Sequence, residues 1–149
     1  MGVVVHKDAD TPDLSDTAAV KRALTAASAV VRNNASSGLY VATLLETLEL
    51  TAVLGAKIVV ANSGAAIMET VAARGPGAVG LAQMSEIMAM VDKGCAVRLA
   101  APLPDAIQNI TTYHAAAATG AASPENAAAL ARALTSDTAK KLFSATGID

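Results

Sequence analysis

Three segments of the sequence place small polar residues between a predicted strand and a predicted helix. They are residues 33–38 (NNASSG), 62–65 (NSGA) and 83–86 (QMSE). Free backbone N–H groups at the start of a helix, together with the positive end of the helix dipole, favour a negatively charged ligand. The three segments therefore predict a binding site for a small anion, although each segment alone is also typical of an ordinary helix cap.

Side chains beside these segments add to the candidate site. Arg32 comes directly before the first segment, where a guanidinium can bind a carboxylate with two parallel hydrogen bonds. A salt bridge or simple surface exposure is the alternative for Arg32. From these patterns we single out Ser36, Ser85 and Arg32 as candidate ligand-binding residues.

Other residues with chemical potential give weaker patterns. His6 and His114 lie far apart in sequence and lack the spacing of a metal site, so we interpret both as structural histidines. The single cysteine, Cys95, excludes a disulfide framework and is expected to be a buried, inert thiol. We predict that the protein binds no metal ion and no cofactor, and we assign no catalytic residue.

The segment 75–80 (GPGAVG) matches the pattern of a dinucleotide-binding loop but lies in the wrong context. That loop needs a strand before it and a helix after it. Here a predicted helix precedes the glycines and a predicted strand follows them, so we interpret the segment as a tight helix-to-strand connection.

Composition argues against two classes of partner. The net charge is -2, the aromatic content is 2%, and no cluster of Lys and Arg is present, which argues against nucleic acid. The mean hydropathy is high, at +0.44, yet no run approaches the ~18 uninterrupted apolar residues of a membrane span. We therefore expect no membrane insertion.

The elements that must position the candidate site alternate between short β-branched runs and longer helical patterns. This alternation predicts an α/β fold with parallel strands, in which the carboxyl ends of the strands meet at one edge. Predicted strands cover residues 2–6, 29–32, 57–61, 78–82 and 95–101, and predicted helices cover 16–27, 37–50, 64–74 and 85–90.

The last forty residues have a different pattern. Residues 110–119 (ITTYHAAAAT) are expected to be a strand or a strand-to-helix crossing. Ser123, followed by a proline and an acid, is typical of a helix start, and a second helix is predicted from Ser136 to Gly147.

These segments together resemble the periplasmic molybdate-binding protein family, a branch of the type II solute-binding proteins of ABC transporters. Order and spacing agree over nearly the whole chain, and the matching residues are 35–40, 44–48, 71–75, 79–86, 101–104, 109–113, 134–136, 139–143 and 147. The resemblance implies a three-layer α/β sandwich, equivalent to one lobe of such a protein, plus a C-terminal helical extension. Residues 7–104 would form this lobe, while residues 1–6 and 105–149 would be crossing strands and helices of a partial second lobe that lacks its N-terminal half.

The same resemblance implies roles for individual residues. Ser37 would supply a backbone donor at the first segment, Gly64 or Ala65 would do so at the second, and Gln83 would be the third ligand residue. Molybdate binders tend to have a tyrosine where Gln83 stands, which leaves the identity of the anion open.

The function that we predict is binding of a small anion, either an oxyanion or a carboxylate, in a transport-related module. One alternative is an isomerase-like enzyme acting on a small organic acid, with Ser85, Glu86 or His114 as acid or base. Another is a truncated paralogue that binds no ligand and acts as an oligomer. The expected partners are a small anion or organic acid, a second copy of the chain in a homodimer, and an ABC transporter permease. The resemblance implies a periplasmic location; the absence of a signal peptide would instead indicate the cytoplasm if Met1 is the native start.

Overall fold

A computed structural model describes residues 1–148, which divide into two compact units. The first unit comprises Met1–Asn109 and the second begins at Ile110. The elements of the first unit are β1 (Gly2–His6), α1 (Thr17–Ala26), β2 (Ala29–Asn33), α2 (Ser36–Thr47), α3 (Thr51–Leu54), β3 (Ile58–Ala61), α4 (Gly64–Arg74), β4 (Ala78–Ala82), α5 (Met84–Asp92) and β5 (Val97–Pro102). Short 3₁₀ turns follow α3 at Gly55–Lys57 and β5 at Asp105–Ile107.

The five strands form one open sheet in the order β3-β2-β4-β1-β5. Strand β2 is parallel to both β3 and β4, whereas β1 is antiparallel to both β4 and β5. The prediction of an all-parallel sheet is therefore wrong for β1. A short β-branched run indicates that a segment is a strand, but it carries no information about the direction in which that strand runs.

Helices cover both faces of the sheet, and each face has its own apolar core. Val3 and Val5 of β1 belong to the cluster that includes Leu24 of α1 and Leu45 of α2. Val4, which points to the opposite face, belongs to the cluster that includes residues of α4 and α5. Because successive side chains of a strand point to opposite faces, a run of valines is suited to a strand that is covered on both sides. The predicted three-layer α/β fold is confirmed.

Several element boundaries differ from the prediction for local backbone reasons. Helix α2 ends at Thr47 because Glu49 adopts a left-handed conformation with φ of 58°, and the short helix α3 starts afresh at Thr51. Strand β5 begins at Val97 rather than at Cys95 because the N–H of Cys95 still donates to the carbonyl oxygen of Met90 in α5, at 3.0 Å.

The second unit contains two helices, α6 (Pro124–Leu134) and α7 (Asp137–Ser144). Ser136 caps α7, since its hydroxyl accepts a hydrogen bond from the N–H of Ala139 at 3.2 Å, but the side chain of Ser123 makes no such bond at α6. Residues 110–119 form neither a helix nor a strand, so the expected crossing element is wrong. Alanines dominate its second half, and alanine has low strand propensity.

No single helix within residues 1–148 has the length and hydropathy of a membrane span. One bent pair, Ser36–Thr47 with Thr51–Lys57, meets those two criteria together, with an angle of 98° between its halves.

Candidate functional site

The three polar segments lie at one edge of the sheet in the first unit. Strands β3, β2 and β4 are adjacent and parallel, so their carboxyl ends lie side by side. Each of these strands leads directly into a helix, β3 into α4, β2 into α2 and β4 into α5. The sheet thus brings the amino ends of three helices together, at what we call the junction edge (residues 33–38, 62–65 and 83–86).

Asn33, at the end of the middle strand β2, is the buried polar side chain of the junction edge. It is only 3% exposed, and its Oδ1 accepts a hydrogen bond from the N–H of Ala35 at 3.2 Å. Its Nδ2 donates to no group within residues 1–148, yet this atom is not fully enclosed. A buried amide with an unused donor at a solvent-accessible edge is suited to hydrogen bonding with an acceptor outside the protein.

Arg32 donates hydrogen bonds to backbone carbonyl groups at the first segment, and its predicted fork onto a carboxylate stays a prediction. Its Nη1 donates to the carbonyl oxygens of Asn33 at 2.9 Å and Gly38 at 3.4 Å. The guanidinium therefore holds the loop between β2 and α2 in place. Its remaining N–H groups have no hydrogen-bond partner within residues 1–148.

The start of α2 leaves backbone donors unused. Ala35 occupies the cap position, and within residues 1–148 no side-chain cap is present at this helix start. Ser36 is exposed and Ser37 is half-buried, so this turn is accessible to a small ligand. The first N–H groups of any helix have no partner within the helix, and here they are available to solvent or to an anion.

The second segment is partly capped by the protein itself. The Ser63 hydroxyl accepts a hydrogen bond from the N–H of Ala66 at 3.1 Å, which uses one donor of α4. Gly64 is buried and Ala65 is exposed. A donor at Gly64 or Ala65 thus remains compatible with the predicted site, while Ala66 is occupied by the cap.

The third segment starts α5 without a side-chain cap. Gln83 holds the cap position in an extended conformation, and both Gln83 and Ser85 are half-buried. Glu86 follows in the first turn of α5, and its carboxyl lies against the Cα of Gly64 in α4. A Cβ added at position 64 would overlap that carboxyl, so glycine is what allows Glu86 to approach α4.

The Glu86 carboxyl is the one acidic group that lies within this arrangement of helix starts. It makes no ion pair or hydrogen bond with any group in residues 1–148. Its side chain keeps an exposed surface, but partial burial of the carboxyl raises its pKa above the ordinary value. Removing a carboxylate from water without a compensating partner favours its protonated form.

The histidines and the cysteine considered in the sequence analysis lie outside the junction edge. The Nδ1 of His6 accepts a hydrogen bond from the N–H of Asp8 at 3.2 Å, as expected for a structural histidine. His114 is exposed in the second unit, and Cys95 is half-buried rather than buried. No group of three or more His, Cys, Asp or Glu in residues 1–148 is arranged to hold a metal ion.

Comparison with known proteins identifies the family. The profile of the bacterial extracellular solute-binding proteins matches residues 1–149. The chain belongs to this family. The match is to the family as a whole and does not single out the molybdate-binding branch that the sequence resembles.

One curated relative carries a more specific name. An aconitate isomerase from Pseudomonas sp. is 28% identical over 151 residues, a stretch that covers 99% of this chain. The same stretch covers 55% of the relative, so the chain spans about half the length of that enzyme.

Proposed function

We propose that this chain is a solute-binding module for a small anion, which backbone N–H groups hold at the junction edge. The observation that carries this proposal is the convergence of three helix starts on three adjacent parallel strands. Ligands of open α/β sheets bind outside the carboxyl ends of the strands, and helix starts supply donors for negative charge. The named relative acts on an organic acid, which favours carboxylates over inorganic oxyanions.

Each part of the junction edge has a place in this proposal. The N–H groups of Ser36 and Ser37 and the Nδ2 of Asn33 donate to one anionic group. Gly64 or Ala65, together with the start of α5 at Gln83 and Ser85, binds the opposite side of the ligand. Arg32 positions the first loop through its bonds to backbone carbonyls.

A backbone donor can be tested by proline at the first position of a helix. Proline is favoured there and removes the N–H, and the extended backbone of Ala35 is compatible with a following proline. We expect Ser36→Pro to weaken binding about tenfold or more, since hydrogen bonds to charged groups contribute about 1.5–3 kcal/mol. Ser36→Ala, which keeps the N–H, is the matched control and should bind as the wild type does.

The measurement is isothermal titration calorimetry against aconitate, citrate, sulfate, phosphate and molybdate. The proposal predicts that at least one of these anions binds the wild type at millimolar concentration or below. The absence of heat and of thermal stabilisation with every anion would contradict the proposal.

A second candidate function is isomerisation of a small organic acid, and Glu86 is the observation that favours it. An unpaired carboxyl with a raised pKa beside an anion site is suited to act as a general base. Glu86 would take a proton from one carbon of the substrate and return it to another, so that no proton is gained or lost overall. Incubation with cis-aconitate, followed by proton NMR, should then show the trans isomer with the wild type and none with Glu86→Gln.

The partners that we propose are a small organic acid, a transporter permease that receives it, and a second copy of the chain. Exposed apolar side chains of the second unit supply the surface for self-association, with Leu130 61%, Leu142 66% and Tyr113 65% exposed. Exposed apolar surface of this kind is typical of a protein–protein contact.

A further inference from the structure

The contact between Glu86 and Gly64 places an acidic side chain at the helix start where the proposed anionic ligand would bind. The Glu86 carboxyl lies against the first residue of α4, where only glycine leaves room for it. In the proposed function, the same helix start donates backbone N–H groups to the anionic ligand. An ionised Glu86 therefore repels the incoming anion.

We infer that anion binding at the junction edge is coupled to protonation of Glu86, so that the protein takes up a proton when it binds its ligand. This inference rests on the proposed anion-binding function, because it concerns the same site; the isomerase candidate would instead need an ionised Glu86 in the complex. A neutral Glu86 carboxyl no longer repels the anion, and its O–H can donate a hydrogen bond to one of the anion's oxygens. A bound anion would raise the pKa of Glu86, and the partial burial of the carboxyl already raises it in the same direction.

Among the described residues 1–148, the other charged groups to consider are those on the elements packed against α5. The elements packed against α5 are α4, β5 and β1. Their titratable or charged residues are Glu69 and Arg74 of α4, Arg98 of β5 and His6 of β1, to which α5 itself adds Asp92.

These groups lie away from the Glu86 carboxyl. Arg98 and His6 belong to the opposite end of the sheet, since His6 pairs with Val97 while Gly2 pairs with Ala82. Arg98 is also engaged with the carbonyl of Ala9 at 2.8 Å. Glu69 and Arg74 are further along α4, and none of these groups forms an ion pair with Glu86.

The test is the pH dependence of binding in the wild type and in Glu86→Gln, with sulfate and aconitate as probes. In the wild type, the dissociation constant should rise by up to about tenfold per pH unit above the pKa of Glu86. Calorimetry in buffers of different ionisation enthalpy should show uptake of up to one proton per anion. Glu86→Gln should bind more tightly than the wild type at neutral pH and lose this proton uptake.

Two further variants make the result specific. Glu69→Gln removes a carboxyl elsewhere on α4 and should keep the wild-type pH dependence. Glu86→Asp keeps the charge but shortens the side chain, so that its carboxyl withdraws from Gly64 and the pH dependence weakens. Because aconitate itself titrates, the comparison between wild type and Glu86→Gln isolates the contribution of the protein.

The outcomes separate this inference from the proposed function. If both wild type and Glu86→Gln bind an anion with the same pH dependence, the coupling is wrong and the site stands. If neither protein binds any probe between acidic and neutral pH, the proposed function fails and the coupling fails with it.

Discussion

At the residue scale, the closest approaches at the junction edge are made by two glycines with different neighbours. A Cβ at Gly38 would overlap the backbone carbonyl and the side chain of Asn33, which are fixed by hydrogen bonds. A Cβ at Gly64 would overlap only the end of the Glu86 side chain, which can rotate away.

These neighbours predict different costs for the same substitution. We expect Gly38→Ala to destabilise the protein by about 1–3 kcal/mol, the usual range for forced overpacking. Gly64→Ala should change stability by less than about 1 kcal/mol, because the higher helix propensity of alanine offsets the displacement of Glu86. Chemical denaturation followed by circular dichroism measures both; equal losses would show that Asn33 yields as easily as Glu86.

The pKa of Glu86 predicts how stability changes with pH. Because its pKa is raised in the folded protein, its favourable contribution is present below its ordinary value of 4.5 and is lost as pH rises through the folded value. Glu86→Gln should therefore be more stable than the wild type at neutral pH, with a smaller decline from acidic to neutral pH. Melting temperatures across this range measure the effect; a variant less stable at neutral pH would contradict it.

Asp13 is an acidic residue whose pKa is lowered in the folded protein, whereas that of Glu86 is raised. The Ser15 hydroxyl donates to its carboxylate at 2.7 Å, and this bond, with a second one from the Ser15 N–H, lowers the pKa of Asp13. Its contribution is present above its ordinary value of 3.8 and is lost as pH falls, so Asp13→Asn should lose stability at neutral pH rather than gain it.

The positions of some site residues could be predicted from the sequence, whereas the contacts of others could not. The positions of Ser36, Ser37 and Gly64 at helix starts follow from local patterns of small and polar residues. The bonds from Arg32 to Gly38 and the approach of Glu86 to Gly64 depend on loop geometry and on packing between helices. No local sequence pattern encodes those contacts. In contrast, an asparagine at the end of an apolar strand is a pattern that could have indicated Asn33 as a site residue.

At the element scale, capping explains where the helices of the junction edge begin. The Ser63 side chain caps α4, whereas α2 starts without a side-chain cap although two serines stand in its first turn. We expect Ser63→Ala to cost about 0.5–2 kcal/mol of stability, the usual cost of losing an N-cap. Ser36→Ala should stay within about 0.5 kcal/mol. Urea denaturation distinguishes the two; similar losses would indicate that Ser36 contributes a contact that the structure does not show.

Elements that are delimited by glycines and polar caps could be predicted from the sequence. Features that depend on pairing between strands could not. Helix α4 and strand β4 match their predicted bounds because glycines and polar caps delimit them on both sides. The antiparallel direction of β1 depends on its partners β4 and β5. Residues 110–119 lack a partner strand within the described chain, and a β-branched start alone did not make them a strand.

At the scale of the whole molecule, the exposed apolar residues of the second unit predict self-association. Leu130 is 61% exposed and Leu134 is 40% exposed on α6. Burial of a leucine side chain contributes about 1.5–3 kcal/mol, so covering several of them offsets much of the cost of association. The double variant Leu130→Asp with Leu134→Asp should shift the protein from dimer to monomer in sedimentation velocity experiments.

A matched control comes from the first unit. Val53 is 59% exposed on α3, and Val53→Asp should leave the sedimentation behaviour unchanged. A wild-type protein that sediments as a compact monomer at tens of micromolar would show that the second unit does not mediate self-association.

The central claim is that a small anion binds where three helices begin at one edge of the sheet. A titration of ¹⁵N-labelled protein with aconitate, followed amide by amide in NMR spectra, tests it most directly. The account predicts saturable shifts in the amides of Ser36, Ser37, Gly64, Ala65 and Ser85, with little change at His114 in the second unit. Shifts confined to residues 110–148, or none at millimolar aconitate and sulfate, would contradict it.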